Sequence, residues 1–333
     1  MLKISKSKFL ISKQTLNSKF QIVNSILERE PELSKKTLSF LKKYQKPKID
    51  AIAITIGPGL EPCLWVGVNF AKSLAYFWDL PIIPVNHIEA HIIANWLSPV
   101  SSKSKIKNQK SKIYNAFPAV CLVVSGGHTQ LILMGGIGKY KVIGETRDDA
   151  AGECFDKVAR ILGLGYPGGP AIAAEAAKLK TINYKLKTKL PRPMMYQNNY
   201  DFSFSGLKTA ALYLVRQLTI NNKQLTIKQK REICAETQQA IIDVLIRKTL
   251  KAAKDFKAKS IILGGGVAAN NELRKQFQSA VSHQPLAISF FVPPKNLCTD
   301  NAAMIGATGY HHWLKGKTKN WGKIEAEANL RIK

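Results

Sequence analysis

A chain of 333 residues with 45% hydrophobic content is long enough to bury a sizeable core and to divide into two lobes. Fifty Lys and Arg against 22 Asp and Glu leave a formal charge of +28, which points to a polyanionic partner, with nucleic acid foremost, or to a lysine excess carried in solvated loops. No apolar run approaches the roughly 18 residues of a membrane helix, the basic N-terminus lacks the apolar centre and cleavage site of a signal peptide, and five cysteines without a Cys-x-x-Cys pair suggest free thiols in a reducing cytoplasm.

Residues 1–19 are low in complexity and expected to fray. Residues 20–44 have helical spacing broken at Pro31, and Ile49–Ile56 reads as a strand ending in Gly57-Pro58-Gly59. Leu64–Trp78 is apolar almost all round and predicts a buried helix, with Gly67 marking a close neighbour. A short strand at Pro81–Val85 leads into a helix over 86–97, and 101–116 reads as a solvated insertion. Ala119–Ser125 is a second buried strand, followed by Gln130–Met134, a turn at Gly135-Gly136 and a strand at Lys141–Glu145. Helices are expected over Asp149–Leu162, 171–180 and 232–256, with a Gly/Pro loop at Gly163–Pro170. The remainder reads as a strand at Ser260–Leu263, a helix at Asn271–Val281, a strand at Ile288–Val292 and a helix at Asn301–Lys315. Strands alternating with helices, with glycine-rich turns at strand ends, indicate an α/β protein whose ligand lies at those ends.

His87 and His91 are four apart on the predicted helix and so share a face, which can hold one metal ion or simply carry two ordinary histidines. Glu89, two residues after His87, falls about 200° round the helix, off that face. This is not the His-Glu-x-x-His arrangement, so a metalloprotease gains no support. In Val123-Val124-Ser125-Gly126-Gly127-His128-Thr129 a buried strand meets paired glycines and hydroxyls: an anion cradle, or a tight hairpin turn. Leu263–Asn270 joins strand, triple glycine and helix start, a pattern suited to a nucleotide against backbone. Asp300, in Cys298-Thr299-Asp300-Asn301, could cap a helix or complete a two-His, one-carboxylate metal site.

Gly57–Leu60, the His87/His91 helix, Ser125–Leu131, Asp148–Lys157, Tyr166–Pro170, Asp201–Thr209, Gly264–Asn270 and Cys298–Ile305 follow one another in the order of a single family. Over about 48–315 the chain resembles the TsaD family of tRNA adenosine threonylcarbamoyltransferases, once described as O-sialoglycoprotein endopeptidases. The bacterial type fits best at Asp201-Phe202-Ser203-Phe204-Ser205-Gly206-Leu207-Lys208-Thr209. The resemblance implies a two-lobed fold of the actin, Hsp70 and sugar-kinase type (ASKHA). Residues 48–117 would form lobe one with its metal-binding helix, 118–297 lobe two, and 298–333 a metal ligand and a helix returning to lobe one. It implies that His87, His91 and Asp300 bind one divalent ion, iron or zinc. It also implies that Val123, Val124, Ser125, Gly126 and Gly127, with Asp156, Gly169 and Asn270, hold threonylcarbamoyl-AMP. Asp156 suits a ribose hydroxyl, or is a solvated helical carboxylate. The implied reaction transfers threonylcarbamoyl to adenosine 37 of tRNAs reading codons that begin with A, in the cytoplasm. TsaB and TsaE would be partners, and TsaC would supply the adenylate. Basic loops Lys185–Arg192 and Lys223–Arg231 are expected to meet tRNA.

The family's opening Ile-Glu-Thr-Ser-Cys-Asp-Glu-Thr-like motif and its Gly-Gly-Val-Val-Pro-Glu stretch have no counterpart in 1–47, a divergent segment. Lobe one is therefore expected to be incomplete at its N-terminal end, and a truncated or non-catalytic paralogue that scaffolds a tRNA-modification complex is the alternative. A scaffold has no need of a metal triad. A small-molecule kinase of the same superfold is the third reading.

Overall fold

The computed structural model describes residues 13–97, 116–179, 189–222, 224–284 and 287–333. Most of the expected insertion at 101–116, residues 1–12 of the N-terminal segment, residues 185–188 of the first basic loop and Lys223 of the second lie outside the described residues. The chain forms two compact units, one from the described residues up to Ala90 with Ala302–Ile332, the other from His91 to Asn301.

In the first unit, α1 (Lys13–Ile26) and α2 (Pro31–Lys43) are separated at Pro31, which sits in the first turn of α2, where a missing N–H costs nothing. Their apolar faces meet through Val23, Leu27 and Leu41, against Phe77 and Trp78 of α3 (Glu61–Trp78). Strand β1 (Ile52–Gly57) runs parallel to β2 (Ile82–Asn86), with α3 as the crossover. Helix α3 differs from its expectation. Only Val68, Ala71, Ser73 and Ala75 are buried, while Val66 and Phe70 are 43% and 38% exposed, so an apolar sequence has only one covered face. A Cβ on Gly67 would stand 3.5 Å from Ile54, an ordinary contact. The tight approach is elsewhere: on the C-terminal helix Ala302–Trp313, a Cβ at Gly309 would come within 2.5 Å of Ala53.

Helix α4 (His87–Ile93) carries the chain from the first unit into the second. The second unit holds a five-stranded mixed sheet in the order β5-β4-β3-β6-β7. Strands β3 (Ala119–Val124), β4 (Thr129–Gly136) and β5 (Lys139–Glu145) form an antiparallel meander. Strands β6 (Ser260–Gly264) and β7 (Ser289–Phe291) continue the sheet parallel to β3. Every residue of β3 and β6 is buried, as expected of central strands covered on both faces. The covering helices are α5 (Ala151–Ile161), α6 (Gly168–Ala177), α7 (Ser205–Leu218), α8 (Ile227–Asp255) and α9 (Asn271–Ser282). Phe155 and Val158 of α5 and Ile241, Val244 and Leu245 of α8 share one core with Val120, Leu122 and Val124.

The structure departs from the sequence reading at several points. The β4–β5 turn falls at Ile137-Gly138, where Gly138 has φ +79°, while Gly135 and Gly136 remain in the strand. Helix α6 starts inside the expected loop, at Gly168. Helix α8 starts at Ile227, where the Thr226 hydroxyl accepts from the Gln229 N–H at 3.2 Å and the Gln229 side chain answers at the Thr226 N–H. Helix α7 was not expected at all.

Candidate active site

The end of β2 sets the first part of the site. Asn86 Oδ1 accepts from the N–H groups of Ile88 and Glu89 at 2.9 and 3.2 Å, which starts α4 directly after the strand. One turn then separates His87 from His91 on one helical face. His91 is 1% exposed and its Nε2 lies 3.3 Å from Oδ1 of Asp300, whose side chain is 77% exposed. One ligand atom from each of His87, His91 and Asp300 falls within 4.8 Å of the other two. The grouping follows from one short helix and one contact inside the second unit.

The donor set fits a first-row divalent ion. Bonds of about 2.1 Å put neighbouring ligand atoms roughly 3.0–3.4 Å apart, and the His91–Asp300 distance of 3.3 Å already matches. Two imidazoles and a carboxylate suit iron or zinc better than magnesium or calcium, which prefer oxygen. Glu89 does not join the three. It is buried, and its Oε2 lies 2.9 Å from Nε2 of His312, whose Nδ1 lies 3.1 Å from the Pro84 carbonyl. This clamp ties α4 to β2 and the C-terminal helix within the first unit.

The second part of the site is the strand ends. Val123 of β3 pairs with Gly264 of β6, so Val123–Gly127 and Gly264–Asn270 leave the sheet side by side. They are in close contact: a Cβ on Gly265, at φ +89°, would stand 2.3 Å from the Val124 oxygen. Gly264 leads back to the histidines, since a Cβ there would stand 2.8 Å from the His91 carbonyl. Asn95, just beyond α4, donates to the Leu263 oxygen at 3.1 Å. The Ser125–His128 segment is a tight turn, with the Ser125 N–H bonded to the His128 carbonyl and the His128 N–H to Ser125 Oγ. Both readings of that motif remain compatible, because a Cβ at Gly126 or Gly127 would meet nothing within 4 Å.

Asp156 and Asn270 hold backbone. Asp156 Oδ1 accepts the Gly168 N–H at 2.7 Å at the start of α6, beside Gly169. Asn270 caps α9 by accepting the Leu273 N–H at 3.0 Å, and its Nδ2 donates to Gln238. Helix α5, which carries Asp156, abuts the glycine turn: the Gly152 N–H donates to the Ser125 carbonyl at 3.1 Å. Asn270, Asp156 and the 123–127 turn therefore belong to one connected set of elements.

Sequence reasoning missed Asp148. It accepts from Ser203 Oγ at 2.5 Å, the Phe204 N–H at 2.8 Å, the Ser205 N–H at 3.1 Å and Ser205 Oγ at 2.7 Å, and so fixes the entry to α7. Burial alone would raise its pKa, but these hydrogen bonds outweigh it and hold the carboxyl below its usual range. The signal was Asp148 and the Asp201–Thr209 stretch as two unexplained motifs. The cysteines offer no activated nucleophile in the core: burial, with the Asp149 and Asp148 charges for Cys154 and Glu175 for Cys234, pushes both thiols up to about 12.

These features define an α/β protein of the actin, Hsp70 and sugar-kinase class with a two-His, one-carboxylate cluster next to a strand-end site. The crystal structure of HypF from T. kodakarensis shares the fold, with a TM-score of 0.53 at 15% identity over 86% of this chain and 43% of that chain. A model of the TsaD family, tRNA N6-adenosine threonylcarbamoyltransferase, matches residues 31–307. The protein of that name from Thermosipho africanus is 45% identical over 285 residues, 86% of this chain and 79% of the relative. That from Syntrophomonas wolfei is 46% identical over 265 residues, 80% of this chain and 71% of the relative. The chain belongs to the TsaD family.

Proposed function

We propose that the chain is a tRNA N6-adenosine threonylcarbamoyltransferase that uses threonylcarbamoyl-AMP to modify adenosine 37 of tRNAs reading codons that begin with A. The acceptor N6 forms a bond to the carbamoyl carbon, the bond from that carbon to the phosphate oxygen breaks, AMP leaves with the electron pair, and one N6 proton passes to solvent. An exocyclic adenine amine is a poor nucleophile, so the protein must orient it and stabilise charge on the carbonyl and the departing phosphate.

His87, His91 and Asp300 would hold one iron or zinc ion, which when bound supplies a Lewis acid for the carbonyl or the phosphate. A Cβ at Gly126 or Gly127 would meet nothing within 4 Å, so a ligand can approach this backbone closely, and its amides would donate to developing negative charge, with Val123, Val124 and Ser125 shaping the wall behind them. Asp156, with one oxygen on Gly168, would accept a ribose hydroxyl with the other. Asn270 keeps a second amide hydrogen for the ligand, and Gly169 lets α6 approach it. No residue stands out as general base. TsaB and TsaE are the expected protein partners, with TsaC supplying the adenylate.

The observation that carries this reading is the match to the family over residues 31–307, with 45–46% identity to proteins of that name, and within that span all three metal candidates group within 4.8 Å. The test is conversion of unmodified tRNA, followed by nucleoside mass spectrometry, alongside elemental analysis. Substituting both His87→Ala and His91→Ala is expected to remove the metal and the product. Undiminished metal in that double variant would rule the site out.

A further inference from the structure

Residues 189–201 cross the outer face of α8 without regular structure, yet they are firmly held. The Leu190 N–H donates to Glu236 Oε1 at 3.1 Å, and Arg192 pairs with Glu236 and, at 2.9 Å, with Asp243. Lys248 is 1% exposed and donates its ammonium to the carbonyls of Asn199 at 2.9 Å and Gln197 at 3.3 Å. At the far end Tyr200 donates to Asp255 at 2.8 Å, and Asp201 pairs with Arg147 at 2.7 Å. Met194 is held at φ +53°, a backbone region that a side-chain-bearing residue rarely adopts.

This anchored segment presents Tyr196 to solvent, 76% exposed, with the Arg247 guanidinium 4.6 Å from its ring centroid. One helical turn along α8, the Lys251 ammonium sits 4.5 Å from the Tyr200 ring centroid. Lys254 is exposed a turn further, and Arg147 is 62% exposed at the end of β5. Arg147 is paired with Asp201 and Lys251 with Asp255, while Arg247 and Lys254 add two further cations along the same helix. Glu145 is in register with Gln130, which pairs with Val123, so the end of β5 lies two strands, about 10 Å, across the sheet from the proposed substrate turn. Arg147 is two residues beyond it.

A large exposed aromatic ring backed by a guanidinium has no packing function, but it is what an unstacked nucleobase requires, and neighbouring cations can track the phosphates. We propose that Tyr196, Arg247, Tyr200, Lys251 and Arg147 form a preorganised stacking platform for unpaired nucleotides of the tRNA substrate, beside the acceptor adenosine. The inference rests on the tRNA-modifying reading above. The platform costs little ordering on binding, because the segment is already fixed by Lys248 and Arg192.

The test measures binding of an unmodified tRNA transcript, of its anticodon stem-loop and of a fully paired RNA duplex of equal length, together with KM and kcat for transfer. Tyr196→Ala should weaken tRNA and stem-loop binding about tenfold and raise the KM for tRNA with little change in kcat. Tyr196→Phe should bind within about twofold of the parent, because the ring is kept. Arg247→Gln should also weaken binding and lower the salt slope by about one. Tyr213→Ala, at another exposed tyrosine on α7, should leave binding unchanged. Transfer by the wild type with undiminished binding by Tyr196→Ala and Arg247→Gln would overturn the platform and leave the enzymatic reading standing. An equal loss on the paired duplex would overturn stacking in favour of plain charge. Absence of both tRNA binding and transfer in the wild type would overturn the two readings together.

Discussion

Substituting Gly265→Ala probes the junction on which the site is built. Gly265 has φ +89° and ψ +165°, a region reserved for glycine, and occupying it with alanine costs about 1–3 kcal/mol. The new Cβ would stand 2.3 Å from the Val124 oxygen and 2.7 Å from its carbonyl carbon, both backbone atoms of the central strand. Strands β3 and β6 would have to part by close to an ångström at their C-terminal ends, an overpacking cost of about 1–3 kcal/mol more. The sum, about 2–6 kcal/mol, is a large share of an ordinary domain's stability. Amide hydrogen exchange followed by mass spectrometry should show β3 and β6 peptides losing protection at least about 30-fold. The matched control is Gly126→Ala, where the added Cβ meets nothing within 4 Å. It should keep protection and yet lower kcat/KM for threonylcarbamoyl-AMP about tenfold, by filling space reserved for the donor. Equal protection in Gly265→Ala and the parent would refute the reasoning about the junction.

Truncating Glu89 to Ala leaves His312 without its 2.9 Å partner in a buried setting, so a loss of about 1–3 kcal/mol is expected in urea unfolding, with Glu89→Gln recovering most of it. For Asp148 the folded pKa is depressed, so its contribution to stability is present above the unfolded value of about 3.9 and is lost as pH falls through the folded one. Asp148→Asn should therefore unfold at lower urea than the parent at pH 7, and the gap should narrow in acid below about pH 4. A gap that is constant with pH would show that the hydrogen bonds to Ser203, Phe204 and Ser205 do not favour the carboxylate. Affinity for tRNA should fall steeply as salt rises, given the charge of +28; a flat response would mean that these lysines are solvated surface.

The strands that position the site were legible because they are largely apolar runs followed by glycines: Ala119–Val124 and Ser260–Gly264 needed no tertiary information. The histidine pair was legible from its spacing alone. Helix α7 went unread although Leu207, Ala211 and Leu214, all turned to the core, recur at helical spacing. The glycines at 168 and 169 suggested a loop, but Gly168 opens a helix, and it is glycine because a Cβ there would stand 2.6 Å from the Asp156 Cα, a constraint set by another helix. Apolar composition misled for α3, where the number of covered faces depends on neighbours. The Glu89–His312 clamp joins residues 223 positions apart and leaves no local trace.

The most direct measurement is the time course of N6-threonylcarbamoyladenosine formation at position 37 when purified chain, threonylcarbamoyl-AMP, partner proteins and unmodified tRNA are combined, read by nucleoside mass spectrometry. Product is expected in the wild type, with AMP released in equal amount, and a fall of at least about a hundredfold in His91→Ala. Wild-type chain that binds tRNA and partners but yields no modified nucleoside would contradict the transferase reading and leave a scaffold in its place.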